Sequence, residues 1–314
     1  MSVAEVDDSV EKAGLRSRIL QVAGHPLNIV YGGKTTGPII LFLHGYPDSS
    51  RVWYEQMQAL GDEYRVVSFD LRGVGGSGPP RAGRDYHIES LLPDIDAVLR
   101  EIGGEEAKAH LVGHDWGSTI GWSFVCHPVF RERVLSWTSM SGPHLGIWMR
   151  WIFEGLRSLR PRRVLSVLGQ LLKSSYVLFL LAFPLPEIAW TVFGVAGWRA
   201  ILRIAGVPRQ DPMLQESRSK VLSMALRPMS LYRRNVLRPP QAPPKQSITV
   251  PTLLIISSGD AFVSEASFDN LHEYVCDLTV HRIGGTHWAQ RSHPEIIAEQ
   301  IRGFCTRHTE NSPG

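Results

Sequence analysis

The sequence predicts an α/β protein with a mostly parallel central sheet, helices flanking it, and a helical lid inserted between sheet strands. Three observations predict it. Short apolar runs without polar alternation recur along the chain, as expected of strands buried on both faces of a parallel sheet. Between them lie segments with apolar residues every three or four positions, so strand and helix alternate. From 143 to 249 that alternation stops, and several helices take its place. The resulting division is a core at 15–142 and 250–306, a lid at 143–249, and loose termini at 1–14 and 307–314.

Ile19 to Tyr31 reads as two short strands around Gly24-His25-Pro26, a hairpin. Pro38-Ile-Ile-Leu-Phe-Leu-His44 is a continuous apolar run and a buried parallel strand. Residues 49–60 have helical spacing, with Val52, Met57 and Leu60 apolar, and Arg65-Val-Val-Ser-Phe-Asp70 is the next strand. Leu91, Ile95, Val98 and Ile102 place a helix over 87–102. The apolar run ending at Gly113 is a strand, and the helix behind it runs to about Phe124. Val134-Leu-Ser-Trp-Thr-Ser-Met140 is another strand. After the linker-like Arg238-Pro-Pro-Gln-Ala-Pro-Pro-Lys245 the sheet resumes at Pro251-Thr-Leu-Leu-Ile-Ile-Ser257, and a last helix covers Pro294 to Phe304.

A chain of 314 residues can bury one large core and carry an insertion. A net charge of +3 argues against a dedicated nucleic-acid binder. Cys126, Cys276 and Cys305 follow no disulfide spacing, and the N-terminus lacks the basic and apolar regions of a secretory signal, so a reducing, cytoplasmic setting is expected. Charge is unevenly shared. Residues 143–249 hold 16 Lys+Arg against 4 Asp+Glu, a net of +12, which leaves about −9 for the rest. The lid also contains a nearly apolar stretch from Tyr176 to Trp198. Its length approaches a membrane span, but Pro184, Pro186 and Glu187 interrupt it, so it reads as a buried or substrate-lining lid. Because basic charge flanks apolar bulk, peripheral contact with a membrane surface stays open, as does a homodimer.

The stretch richest in chemistry is Gly113-His-Asp-Trp-Gly117, a Gly-x-nucleophile-x-Gly elbow with Asp115 where a serine is usual. His44-Gly45-Tyr46-Pro47 follows a buried strand directly, at the sheet edge where ligands bind. Gly45 permits close backbone approach, so the amides of Tyr46 and Trp116 form a candidate oxyanion hole. Gly73-Val-Gly-Gly-Ser-Gly78 matches a dinucleotide fingerprint, but Pro79-Pro80 stands where a helix should open. It reads instead as a structural loop, with Asp70 and Arg72 as the residues that hold it. No cofactor is expected, and no metal, because histidines and cysteines show no ligand spacing. Ser257-Ser-Gly-Asp260 sets an acid in the turn after the penultimate strand, and Gly284-Gly-Thr-His287-Trp presents a histidine about 27 residues later. Asp115, Asp260 and His287 thus occur in the order nucleophile, acid, base.

Together, His44-Gly-Tyr-Pro47, Asp70-Leu-Arg-Gly-Val-Gly-Gly-Ser77, Gly113-His-Asp-Trp-Gly117, Gly259-Asp260 and Gly285-Thr-His-Trp288 resemble the α/β-hydrolase epoxide hydrolases, across residues 20–305. The resemblance implies the α/β-hydrolase fold, an aspartate nucleophile, and conversion of an apolar epoxide and water to a vicinal diol through a covalent aspartyl ester. It also implies two lid tyrosines that hold the epoxide oxygen. Leu231-Tyr232-Arg-Arg-Asn235 matches the family's Tyr-Arg-x-Asn segment; Tyr176, ahead of Phe183-Pro-Leu-Pro-Glu187, resembles the position of the other. Haloalkane and haloacetate dehalogenases share the elbow and the Asp-His-Asp set, and are the alternative; they commonly place a halide donor such as asparagine where this chain has Tyr46. A third reading is a non-catalytic lipid or membrane-surface binding protein on the same scaffold.

Overall fold

The computed structural model describes residues 8–22, 24–80 and 83–309. Eight strands form one sheet: β1 (Arg16–Val22), β2 (His25–Gly33), β3 (Ile39–Leu43), β4 (Arg65–Phe69), β5 (Ala109–His114), β6 (Val134–Met140), β7 (Thr252–Ser257) and β8 (Leu278–Ile283). Their order is β1-β2-β4-β3-β5-β6-β7-β8. β2 runs antiparallel to both β1 and β4, and every other neighbouring pair is parallel. Every residue of β3, β5 and β7 is buried, which explains the apolar runs of β3 and β7; in β5 the buried His110 interrupts the run and meets Ser136 Oγ at 2.8 Å. β8 is one of the two edge strands and only half-buried, so its polar-mixed sequence carries no such run. Because β3 and β5 to β8 are parallel, the loops that leave them all open on one edge of the sheet.

Around the sheet lie α1 (Asp8–Lys12), α2 (Tyr54–Leu60), α3 (Ile88–Gly103) and α4 (Trp116–Cys126). The lid supplies α5 (Leu145–Leu156), α6 (Pro161–Lys173), α7 (Tyr176–Leu181), α8 (Leu185–Ile204), α9 (Arg218–Leu226) and α10 (Ser230–Asn235); α11 (Ala289–Ser292) and α12 (Pro294–Thr309) close the chain. α3 buries Leu91, Ile95, Val98 and Ile102, the stripe that predicts it. The helical reading of 49–60 divides into a 3-10 turn at Ser50–Trp53 followed by α2. α5 opens on His144, whose Nδ1 accepts from the amides of Gly146 at 3.1 Å and Ile147 at 3.3 Å, and burial lowers this imidazole to about 4.

Order extends past the expected 15–306 at both ends. α1 buries Val10 against the core, and α12 continues to Thr309, whose hydroxyl meets His110 Nε2 at 2.9 Å. The outermost termini, 1–7 and 310–314, lie outside the described residues. The loop after β4 is structural, as expected. Asp70 accepts from Ser50 N at 2.9 Å, Asn28 Nδ2 at 2.9 Å and Gly76 N at 3.1 Å. Arg72 grips buried Asp94 through two bonds of 2.7 and 2.8 Å. The long apolar stretch of the lid is broken between α7 and α8 and kinks again at Gly194, so among the described residues no helix is long and apolar enough to cross a membrane.

Candidate active site

The elbow between β5 and α4 holds Asp115 at φ 53°, a conformation that costs a residue with a side chain on the order of 1–3 kcal/mol. Close backbone approach makes it possible. A Cβ on Gly117 would stand 2.2 Å from the Leu43 carbonyl oxygen, and one on Gly45 would stand 2.5 Å from Asp115 Oδ1. These two glycines let the loop after β3 press against the elbow, and that contact differentiates the two oxygens of Asp115. Oδ1 accepts from the Tyr46 amide at 2.7 Å. Oδ2 lies 3.7 Å from His287 Nε2, beyond a direct hydrogen bond. The Trp116 amide is at the first turn of α4, where backbone N–H groups have no partner within the helix.

His287 is buried on the loop after β8, and its Nδ1 bonds Asp260 Oδ2 at 3.0 Å. Asp260 Oδ1 also accepts from Phe262 N at 2.8 Å and Val263 N at 3.0 Å. Burial disfavours the Asp260 carboxylate, but His287, the Phe262 amide and the Ser141 side chain outweigh it and hold the group below its usual range. Burial likewise opposes the His287 imidazolium, and Asp260 with Asp115 prevails, lifting it to about 10. His114 Nε2 donates to the His287 carbonyl at 2.8 Å, and burial lowers His114 to about 4, which leaves it a neutral prop. His44 is structural: Nε2 accepts from Leu71 N at 2.9 Å and Nδ1 donates to the Gly45 carbonyl at 2.9 Å, so the ring braces the loop that carries Tyr46 and Pro47.

The lid brings Tyr176 and Tyr232 over the elbow. Their rings meet edge to face at 6.2 Å, and Tyr232 also packs on Tyr46 at 5.2 Å and Trp116 at 4.9 Å. Burial first and the Asp115 charge next push the Tyr176 phenol up; burial, Tyr176 and Asp115 do the same to Tyr232. Two cavities meet at this point. One, of about 380 Å³, is walled by Tyr46, Phe179, Trp190, Phe193 and Trp288. The other, of about 440 Å³, is walled by Trp116, Leu145, Trp148, Gln170 and Leu178. Asp115, Tyr176, Tyr232 and Phe262 line both.

Asp115, Tyr46, Trp116, Asp260, His287, Tyr176 and Tyr232 therefore come together here, whereas Asp70 and Arg72 hold the loop after β4; other residues that the sequence does not mark join the site. Phe262 stacks edge-on to His287 at 4.8 Å and to Tyr176 at 5.4 Å, and its place two residues after Asp260 is the one signal it carries. Asn235 fixes the short α10: its Oδ1 accepts from Ile88 N at 3.0 Å, and its Nδ2 donates to Tyr86 O and Leu231 O, both at 2.8 Å. Arg233 joins the same helix to Glu187 and to the Leu180 carbonyl. Among the described residues, no group of three or more His, Cys, Asp or Glu is placed to hold a metal ion.

The α/β hydrolase fold family matches residues 38–294 of the chain. The "Probable oxidoreductase EphD" of Mycobacterium tuberculosis is 30% identical over 288 residues, covering 90% of this chain and 48% of that protein. The chain thus spans about half the length of that relative. "Epoxide hydrolase 3" of Xenopus tropicalis is 32% identical over 295 residues, covering 90% of this chain and 75% of that protein. Among solved structures, an epoxide hydrolase of Bacillus megaterium in complex with an inhibitor superposes with a TM-score of 0.74 at 26% identity, over 92% of this chain and 100% of that one.

Proposed function

The chain belongs to the α/β-hydrolase family, and from that premise we propose that it is an epoxide hydrolase acting through an aspartyl ester. One observation carries the proposal: Asp115 has one oxygen tied to a backbone amide, while the carboxylate lines both cavities beneath two phenols. In the first step Asp115 Oδ2 attacks an epoxide carbon and the ring C–O bond breaks. Tyr176 and Tyr232 hold the departing oxygen and supply its proton. Their raised pKa values keep them neutral donors near pH 7. Esterification removes the Asp115 charge, one of the causes that raise His287, so the imidazole moves toward its neutral form as a base is needed. The proton it releases balances the one the phenols gave.

In the second step His287, oriented by Asp260, takes a proton from water as the water oxygen bonds to Asp115 Cγ. Negative charge collects on Oδ1, where the Tyr46 amide already donates and the Trp116 amide joins it; one such donor contributes roughly 10²–10³ in rate. Collapse returns the proton to the departing diol oxygen. The two mostly apolar cavities suit an epoxide with apolar substituents on either side of the ring.

A single turnover in ¹⁸O-water tests this route. The first diol released carries an oxygen from Asp115 and no label, and the label appears in the Asp115 carboxylate. In His287→Gln the protein mass rises by the mass of the epoxide. Turnover retained by Asp115→Asn, or label in the first diol, overturns the mechanism, and a haloalkane panel scored for halide separates the dehalogenase reading.

A further inference from the structure

Sixteen of the nineteen large apolar side chains left exposed among the described residues lie from Phe153 to Leu237, on the lid. On α6 they include Leu165, Leu168 and Leu172, and on α8 Leu185, Ile188 and Val192. Both sets follow the spacing i, i+3, i+7, which gathers each onto one stripe of its helix. The inward stripes are occupied separately, by Val167 on α6 and by Trp190 and Trp198 on α8. A helix covering a core buries one apolar stripe and gives polar residues to water; these two are apolar on both sides.

The exposed surface is continuous with the site. Phe179 and Phe193 wall the first cavity, Leu171 and Leu178 the second, and all four are exposed, so both cavities run out to the apolar face of the lid. Basic groups border it: Arg157, Arg160, Arg162 and Arg163 before and within α6, and Arg199 and Arg203 along α8, all exposed. With a lid net charge of +12, a second copy presenting the same face would be repelled, whereas anionic headgroups would be attracted.

We propose that the lid seats this protein on an anionic lipid bilayer, with the outward stripes of α6 and α8 in the interfacial layer and both cavities opening into it. The seating is peripheral, since no helix among the described residues is long and apolar enough to cross. Seated so, the enzyme takes an apolar epoxide from the lipid phase; that consequence rests on the hydrolase reading, and the seating does not.

Flotation of the full chain with vesicles tests the proposal, comparing pure phosphatidylcholine with phosphatidylcholine containing phosphatidylglycerol. The chain floats with the anionic vesicles and largely stays behind with the neutral ones. Arg162→Gln and Arg163→Gln each weaken binding about fivefold. Leu165→Ser, Leu168→Ser and Leu172→Ser combined bring it to background, and hydrolysis of a small water-soluble epoxide is unchanged because none of these residues lines a cavity. Equal binding by all variants, or a failure of the parent chain to float, overturns the seating; so does a dimer in solution that the leucine variant converts to monomer. Flotation without diol formation from any epoxide supports the seating and sinks only the hydrolase reading.

Discussion

Replacing Asn235 with alanine tests how the lid positions Tyr232. α10 is six residues long, too short to be helical without outside support. Asn235 is 2% exposed, and the mutation strands two groups of the core, the Ile88 amide and the Tyr86 carbonyl. A buried polar group left unpaired costs about 1–3 kcal/mol, so the pair gives about 2–5 kcal/mol after partial relaxation. For a chain of this size that lowers Tm by roughly 4–10 °C. The loosened α10 also lets Tyr232 drift from the elbow, and a misplacement near 1 Å costs on the order of 10²-fold. Thermal unfolding measures the first effect, and stopped-flow detection of ester formation the second. Asn235→Asp keeps the acceptor for Ile88 but loses the donor to Tyr86, and falls between alanine and parent. An Asn235→Ala protein with parental Tm, or one destabilised but with undiminished ester formation, would refute the claim that this side chain holds Tyr232 in place.

Other perturbations reach separate parts of the site. In Gly45→Ala the new methyl would contact Asp115 Oδ1 at 2.5 Å, so kcat/KM should fall by about 10²-fold or more; a change within threefold would mean the loop has slack. Arg72→Leu leaves Asp94 buried and unpaired and should cost about 3–5 kcal/mol in urea unfolding, most of it recovered when Asp94→Leu is added. His287 titrates at about 10 in the fold against an ordinary 6.5, so the native state binds its proton more tightly than the unfolded chain does. That stabilisation is full below pH 6.5 and is lost as pH rises through 10. Over this window Tm should fall more for the parent than for His287→Gln, and parallel curves would show that the imidazolium is not held.

The order of strands and helices and the elbow turn were legible because they follow local rules. Continuous apolar runs mark β3 and β7, and the glycines at 113 and 117 flank a turn that neighbouring groups would otherwise block. Asp260 was legible as the acid in the turn after an apolar strand and His287 as the histidine of a glycine-rich loop that follows it, and parallel strands deliver both to one edge. Edge strand β8 carried a weaker pattern, since half-burial relaxes the demand for apolar residues. Tertiary structure decided what depends on distant partners. Asn235 meets Ile88 across 147 positions and Arg233 meets Glu187 across 46, and no local periodicity encodes either pair. The unequal oxygens of Asp115 likewise arise from Tyr46, 69 positions away. Hydrophobicity told which lid residues were apolar, but whether a stripe faces the core or the solvent is fixed by what packs against its helix. Leu165, Leu168 and Leu172 face outward because Val167 and Gln170 already occupy the inward side of α6.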